Sequence, residues 1–150
     1  MQDSFKMFTY QHKIKLHETD AAGILFFSHQ LRYVHDAYES LLERIGFGFA
    51  ELLRNKDYFL PIVHVESDYK RPLFVADLIE IRVKVESVGT TSFTFAYDIV
   101  NSKKELVGTA KSVHVTIDKR TKKKIPLPKD FREKIKTLYD QDHPGAKTKK

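Results

Sequence analysis

The sequence predicts a single α+β domain in which one long central helix is wrapped by an antiparallel sheet of about five strands. Hydrophobic residues recur at helical spacing over residues 31–45, and from residue 62 to residue 117 the pattern changes to alternation. The 150 residues suit one domain and suffice to bury a core. We assign residues 1–140 to this domain and residues 141–150 to a basic tail, which is predicted to be disordered because Ala146 is its only core-forming residue.

The first strand is predicted over residues 7–16, where apolar or aromatic side chains alternate with polar ones. The loop that follows contains Gly23, which allows a tight turn. The helix over residues 31–45 has a broad apolar face, Gly46 is well placed to end it, and Ser28 is a candidate N-cap.

A short helix is predicted over residues 49–54, before the remaining strands. Those strands are predicted over residues 62–69, 79–86, 93–99 and 106–117. Turns are predicted at residues 88–91 and 101–104, a bulge or bend at Gly108, and a last helix from residue 129 to about residue 139. A helix wrapped by one sheet leaves a sheet edge and apolar surface uncovered, which favours a dimer.

The composition excludes several kinds of site. The chain has no cysteine, which rules out disulfides, thiolate metal sites and cysteine nucleophiles and fits a reducing compartment. Residues 1–12 hold no apolar run of the signal-peptide type, and no stretch approaches the roughly 20 apolar residues of a membrane span. We therefore expect a cytoplasmic protein with no membrane partner.

The net charge of +6 is concentrated at the end of the chain. Residues 119–150 carry 12 basic and 4 acidic side chains, whereas the first 118 residues carry 14 basic and 16 acidic ones. A basic end attracts phosphates or nucleic acid, but a solvated tail that aids solubility is the commoner case. Because the aromatic residues alternate along strands instead of interleaving with the basic ones, we expect no nucleic-acid partner.

Asp20 lies between the first strand and the long helix, in the stretch His17–His29. A carboxylate there can face the positive end of the helix and share a pocket with its free N–H groups, which suits a hydrolytic site that stabilises an oxyanion. The alternative is an aspartate that caps a turn or a helix start, and such caps are far commoner than catalytic carboxylates.

This order of elements, together with the run Thr19-Asp20-Ala21-Ala22-Gly23-Ile24-Leu25-Phe26-Phe27, resembles the hotdog-fold thioesterases of the 4-hydroxybenzoyl-CoA thioesterase type. The resemblance extends from the first strand to about residue 117. The helix segment His35-Asp36-Ala37-Tyr38-Glu39 is similar to the branch that hydrolyses 1,4-dihydroxy-2-naphthoyl-CoA in menaquinone or phylloquinone biosynthesis.

The resemblance implies a hotdog fold, assembly as a homodimer, a homotetramer or a tetramer of dimers, and active sites at subunit interfaces. It implies hydrolysis of an acyl-CoA to the free acid and CoA without metal or cofactor, since CoA is part of the substrate. An aromatic acyl group is favoured, while a short- or medium-chain fatty acyl group stays open. A non-catalytic acyl-CoA-binding protein is a further alternative, against which the retained Asp20 argues.

By resemblance, Asp20 is the catalytic carboxylate, either as nucleophile or as general base for water. The backbone N–H of Phe27 is the donor to the thioester oxygen, and Gly23 permits the close backbone path around it. Some relatives carry a histidine at the position of Phe27. Here the nearest histidine is His29, which favours an aspartate-only mechanism, although His29 could approach across the interface.

Three further side chains are candidates for binding the acyl group. His35 falls on the apolar face of the helix, either as a hydrogen-bonded core residue or, by resemblance, as the group that meets a ring hydroxyl. His64 is a similar candidate, with a solvent-facing strand residue as the alternative. The third is Phe26. It belongs to a set of five aromatic residues that are expected either to line an aromatic pocket or to belong to the core: Phe26, Phe27, Tyr33, Tyr38 and Phe59.

The phosphates of CoA are expected to meet cationic side chains near the mouth of the pocket. The candidates are Lys70, Arg71, Arg82, Lys119 and Arg120, each of which could equally be a surface charge. Thr90, Thr91 and Ser92 lie where the family brings a turn near the nucleotide, and they also suit an ordinary turn.

Overall fold

The computed structural model describes residues 7–145. Its strands are β1 (Phe8–Lys13), β2 (Tyr58–Phe59), β3 (Ile62–Tyr69), β4 (Leu78–Val88), β5 (Ser92–Asn101), β6 (Leu106–Val115) and β7 (Ile117–Asp118). Its helices are α1 (Phe27–Arg44), α2 (Phe49–Asn55) and α3 (Lys129–Asp142), with a single 3-10 turn at Leu16–Glu18.

The main sheet has five antiparallel strands in the order β1–β4–β5–β6–β3. Alternation along each strand puts one row of side chains on the inner face, against the helices, and the other on the outer face. The inner row of β4 is fully apolar, and β5 contributes three aromatic rings and Ile99. The predicted α+β architecture, with one long helix and a five-stranded sheet, is therefore confirmed.

The long helix α1 forms the centre of the core. Its buried side chains recur three and four residues apart, and Tyr33, Ala37 and Leu42 have no exposed surface. The last helix, α3, closes one end of the core, where Phe131 packs on Phe47 and Phe93 with ring centroids 5.1 and 5.2 Å apart. No helix within residues 7–145 combines the length and the apolar character needed to cross a bilayer.

Several predicted boundaries were wrong by a few residues. The helix α1 begins at Phe27 instead of residue 31, and Ser28 lies in its first turn while Phe26 occupies the N-cap without a side-chain bond. The strand β1 ends at Lys13, and Leu16, 74% exposed, starts the 3-10 turn. The pairing of β2 with β7 was missed because two residues show no period.

Two predictions near the end of the chain can be compared with the structure. The bulge predicted at Gly108 is confirmed, because the β5–β6 register shifts between Ile99, opposite Gly108, and Val100, opposite Leu106. The helix α3 continues to Asp142, beyond the predicted end. Residues 146–150 of the predicted tail lie outside the described residues, and the proposed boundary at residue 140 stays a prediction.

The strand β3 forms an uncovered edge of the sheet. Among residues 7–145 it pairs only with β6, and its side chains Val63, Val65 and Tyr69 are 59%, 43% and 49% exposed. The helix α1 therefore leaves much of this strand uncovered, and the structure has the open edge and apolar surface that the sequence predicts.

Three hydrogen-bonded polar side chains lie within the apolar core under α1. Ser112 Oγ lies 2.7 Å from Tyr97 Oη and 2.7 Å from His114 Nε2. The His114 ring is fully buried between Tyr38 and Phe93, with centroids 4.3 and 4.8 Å away, and its Nδ1 has no partner among the described residues. Burial, with a smaller contribution from the charge of His35, lowers the pKa of His114 to about 3.

We expect the buried His114 to make the folded state sensitive to acid. Its pKa rises on unfolding from about 3 to the ordinary value of 6.5, so between these values the unfolded chain binds the extra proton. Stability should therefore fall as the pH drops below 6.5, by up to about 1.4 kcal/mol per pH unit. Urea unfolding at pH 7.5, 6.5 and 5.5 measures this slope. His114→Phe should reduce it, whereas His64→Gln, at an exposed site, should not; equal slopes in wild type and His114→Phe would contradict the assignment.

Candidate active site

The residues 19–25 form a tight hairpin, which we call the Asp20 loop. Thr19 bridges Leu25, the Asp20 N–H donates to the Ile24 carbonyl at 2.8 Å, and the Gly23 N–H donates to the Asp20 carbonyl at 2.9 Å. Gly23 has a φ of +78°, a left-handed conformation that a side chain would strain. The tight turn predicted at Gly23 is confirmed.

The carboxylate of Asp20 is exposed and holds its own loop together. Its Oδ1 accepts hydrogen bonds from the N–H groups of Ala22, at 2.9 Å, and Ile24, at 3.2 Å. This is the turn-capping arrangement weighed from the sequence. Within the described residues Oδ2 accepts no hydrogen bond, so the same carboxylate keeps one oxygen for a ligand or a water. The catalytic role of Asp20 stays a prediction.

The Asp20 loop is tied to the rest of the fold at its base. The Leu25 N–H donates to the Leu73 carbonyl at 2.8 Å, and Ile24 bridges Phe74. The Phe26 N–H donates to the Glu18 carbonyl at 2.9 Å. These bonds fix the loop between the segment that leads into β4 and the start of α1.

The start of α1 adjoins this loop. Phe27 is the first helical residue, and the N–H groups of a first turn have no partner inside the helix, so that of Phe27 is available to an anionic oxygen. The rings of Phe26 and Phe27 lie 4.9 Å apart, and that of His29 lies 6.3 Å from Phe26. The fold thus brings four predicted residues, Asp20, Phe26, Phe27 and His29, around one helix start.

A cavity of about 310 Å³ opens beside this helix start. Its lining is mainly apolar, with Leu25, Phe27 and Tyr69 among its walls, and it includes Lys70 and Arg71. A neighbouring cavity of about 320 Å³ shares Arg71. Two of the predicted cations therefore lie at the site. A separate cavity of about 240 Å³, between α1 and α3, contains none of the predicted residues.

Gln30, which the sequence did not single out, forms part of the cavity wall. It is 2% exposed, and its Nε2 donates to Ser67 Oγ at 2.9 Å and to the Asp68 carbonyl at 3.1 Å. Gly108 makes room for it, since a Cβ there would lie 2.8 Å from Gln30 Nε2. Tyr69, whose hydroxyl donates to the Phe27 carbonyl at 2.9 Å, was also missed. Both contacts join residues too far apart in sequence for a local pattern to reveal.

The predicted histidines further along the chain lie elsewhere. The placement of His35 on the apolar face was wrong, because its side chain is 46% exposed at the rim of the core, beside Tyr38 and Phe49. The helix turns this position outward, since its buried stripe passes through Val34 and Tyr38. His64 lies on the outer face of β3 and pairs with a neighbouring carboxylate, Glu66, at 3.0 Å. Tyr33 and Tyr38 are core residues.

The other proposed phosphate-binding residues are not gathered at this site within one chain. Arg82 lies on the outer face of β4, 3.0 Å from Glu80, and Lys119 Nζ donates to two carbonyls at the end of α2. Thr90, Thr91 and Ser92 lie at the turn that joins β4 to β5, at one end of the sheet. A strand rises about 3.3 Å per residue, so this turn is roughly 30 Å from Leu78, the residue at the opposite end of β4.

Glu18 is the most deeply buried carboxylate near the site, at 1% exposure. It accepts hydrogen bonds from Tyr33 Oη at 2.7 Å and from the Lys15 N–H at 2.9 Å, lies 3.0 Å from His12 Nε2, and pairs with Arg32. Burial by itself would raise the pKa of Glu18, but the hydrogen bonds from His12, Lys15 and Tyr33 outweigh it and lower the pKa to about 2. Glu18 is therefore a carboxylate anion at neutral pH.

Comparison with known proteins gives four concordant matches. The model of the thioesterase-like superfamily matches residues 14–135. A 1,4-dihydroxy-2-naphthoyl-CoA hydrolase from Rippkaea orientalis is 34% identical over 135 residues, which are 89% of this chain and 98% of that protein. The crystal structure of a 1,4-dihydroxy-2-naphthoyl-CoA thioesterase from Synechocystis superposes with a TM-score of 0.82 at 30% identity, covering 93% of this chain and 100% of that one. A gentisyl-coenzyme A thioesterase superposes with a TM-score of 0.76 at 25% identity, covering 85% and 98%.

The two left-handed glycines near α1 provide a test of the loop geometry. Gly23 has a φ of +78° and Gly46 a φ of +93°, and a Cβ would meet nothing within 4 Å at either site. Gly23→Ala and Gly46→Ala should therefore each cost about 1–2 kcal/mol through backbone strain alone. Only Gly23→Ala should speed amide hydrogen exchange at Asp20, Ala22 and Ile24. Equal exchange in both variants would mean that Gly23 does not hold the loop.

Proposed function

The chain belongs to the thioesterase-like superfamily and is a thioester hydrolase with the hotdog fold, and from this premise we propose that it cleaves an aromatic acyl-CoA, with 1,4-dihydroxy-2-naphthoyl-CoA as the preferred substrate. One observation carries the proposal: a carboxylate with a free oxygen, that of Asp20, lies in the loop that leads directly into the uncapped start of α1. This would be a step in menaquinone or phylloquinone biosynthesis.

The proposed reaction adds the oxygen of water to the thioester carbonyl and releases the carboxylic acid and the CoA thiol. Oδ1 of Asp20 is held by the N–H groups of Ala22 and Ile24, so Oδ2 is the oxygen that acts. It either attacks the carbonyl carbon, to give an anhydride that water then cleaves, or takes the proton from an attacking water. The Phe27 N–H, at the positive end of α1, would stabilise the oxyanion in either case. Neither route requires a metal or other cofactor.

The cavity beside the helix start suits a flat aromatic acyl group. Phe27 and Tyr69 supply aromatic walls, while Gln30 and the Tyr69 hydroxyl supply polar edges. Two of the matched proteins are named for 1,4-dihydroxy-2-naphthoyl-CoA, and the third is named for gentisyl-coenzyme A. Lys70 and Arg71, at the same cavity, are the cations we propose for the CoA phosphates.

We also propose that the active form is a dimer joined through the edge of β3. In an antiparallel pairing of two copies, the Ile62 end of one strand meets the Tyr69 end of the other. The Ile62 end adjoins the β4–β5 turn, since Val115 donates to the Pro61 carbonyl at 3.1 Å and Thr116 to the Thr91 carbonyl at 3.1 Å. Dimerisation would thus bring Thr90, Thr91 and Ser92 of one copy towards the Asp20 loop of the other. The two sites would then each combine residues of both chains.

Replacement of Asp20 tests the proposed reaction. Asp20→Asn keeps the side-chain shape but removes the basic oxygen, and kcat should fall at least about a hundredfold. Thiol release should be measured with 1,4-dihydroxy-2-naphthoyl-CoA, 4-hydroxybenzoyl-CoA and fatty acyl-CoAs of several lengths. We expect the naphthoyl thioester to have the highest kcat/KM.

The matched control is Asp98→Asn, an exposed carboxylate on the outer face of β5, which should leave kcat unchanged. A preference for fatty acyl-CoA would keep the mechanism and discard the aromatic substrate. Full activity in Asp20→Asn would refute the role of Asp20. Acyl-CoA binding without turnover in the wild type would favour a binding protein.

A lysine in the edge strand tests the dimer. Val63, 59% exposed on β3, and Leu53, 62% exposed on α2, are matched in exposure but lie on different elements. Val63→Lys should place a charge in the interface and shift the mass measured by light scattering from at least twice the 17.5 kDa chain to the single chain, with loss of activity. Leu53→Lys should change neither. If the wild type has the mass of a single chain, or if the Val63→Lys variant keeps the mass of the wild type, the proposed interface is refuted.

A further inference from the structure

The carboxylate of Glu18 is the meeting point of three elements. His12 comes from β1, the Lys15 N–H opens the 3-10 turn that contains Glu18, and Arg32 and Tyr33 come from α1. His17 Nε2 adds a weaker contact at 3.9 Å. Both carboxylate oxygens are therefore engaged, Oε1 by three donors and Oε2 by Arg32.

Burying a carboxylate anion such as that of Glu18 costs free energy unless every hydrogen-bond partner is in place. An anion removed from water loses its hydration, and its hydrogen bonds compensate only when the donors hold fixed positions. The donors here are aligned only when β1, the 3-10 turn and α1 pack in their observed arrangement. The network therefore penalises any shift of the turn relative to the helix.

The same residue also holds the Asp20 loop through its backbone. The Glu18 carbonyl accepts the Phe26 N–H at 2.9 Å, at the residue just before α1. Glu18 precedes Asp20 by two residues, and Thr19 between them begins the hairpin through its bridge to Leu25. The side chain thus anchors the entry of the loop to α1, and the carbonyl anchors its exit.

We propose that Glu18 is a positioning residue for thioester hydrolysis, whose buried carboxylate sets where Asp20 and the Phe27 N–H lie relative to each other. The inference rests on the proposed function of Asp20. Its physical basis is that a misplacement of about 1 Å in reacting groups can cost about a hundredfold in rate. Glu18 does not contact the acyl group in this arrangement, since it lies beneath the loop among β1 and α1.

Glu18→Gln is the direct test, because it keeps the size of the side chain and replaces one acceptor by a donor that faces Arg32 or Tyr33. We expect kcat with the thioester panel to fall about tenfold to a hundredfold while KM changes less than about threefold. Amide exchange should rise over residues 19–26 but not in β4 or β5. Glu18→Asp, which keeps the charge, should recover part of kcat.

Two variants separate positioning from a general loss of stability. Tyr97→Phe removes the buried bond to Ser112 in the centre of the sheet, and Glu80→Gln removes a carboxylate paired with Arg82 on the outer face. Both should leave kcat and the exchange of residues 19–26 unchanged, whatever their effect on Tm. If Glu18→Gln folds poorly, Tyr33→Phe, which deletes one donor at 2.7 Å, should show the same changes in weaker form.

The outcomes distinguish this inference from the proposed function. Wild-type kcat in Glu18→Gln, or unchanged exchange in its Asp20 loop, would overturn the positioning role while leaving the hydrolase intact. A fall in kcat no larger than that of Tyr97→Phe at equal Tm would also overturn it. If the wild type hydrolyses no thioester, the proposed function fails, and with it the role of Glu18 in catalysis; the exchange result then decides only whether Glu18 anchors the loop.

Discussion

The packing of α1 against the inner face of the sheet is the contact on which the other features depend. Residues such as Tyr33, Ala37 and Leu42 leave no exposed surface between helix and sheet, so the helix cannot slide or rotate without opening the core. The start of α1 is therefore fixed at one end of the sheet. There it meets the loop and the strand ends that form the cavity.

The polar groups near the site have structural contacts, and for two of them we also propose a role in the chemistry. Asp20 uses one carboxylate oxygen to hold its own turn, and the other accepts no hydrogen bond within the described residues. The same side chain can therefore cap the turn and act as the proposed catalytic group. Glu18, buried beneath it, is matched by donors from β1 and α1. The start of α1, which directly follows this loop, has N–H groups without partners inside the helix.

The edge strand β3 is only partly covered within a single chain. Val63 and Val65 are partly exposed because α1 reaches this strand only near its Tyr69 end, where Gln30 bonds Ser67. The same end carries the cavity, so the uncovered strand and the proposed active site are continuous. In the proposed dimer, a second copy that closes this edge would also complete the site, and activity would then depend on assembly.

The sequence by itself determined the main elements, because local periodicity reports which side of a strand or helix is apolar. It also placed Asp20 in a loop before the long helix and located the turn at Gly23 and the bulge at Gly108, since each depends on a short run of residues. It did not locate the first residue of α1, where Phe26 caps without a side-chain bond and so leaves no local signal.

Only the tertiary structure decided which elements cover each face and which distant groups meet. The burial of Glu18 depends on Arg32 and Tyr33, 14 and 15 residues away, and that of Gln30 on Ser67, 37 residues away. His35 shares the helical spacing of its buried neighbours, yet its side chain is 46% exposed at the rim of the core. A periodic pattern records the polarity of each residue but not its partner, and partners determine where a charge can be buried.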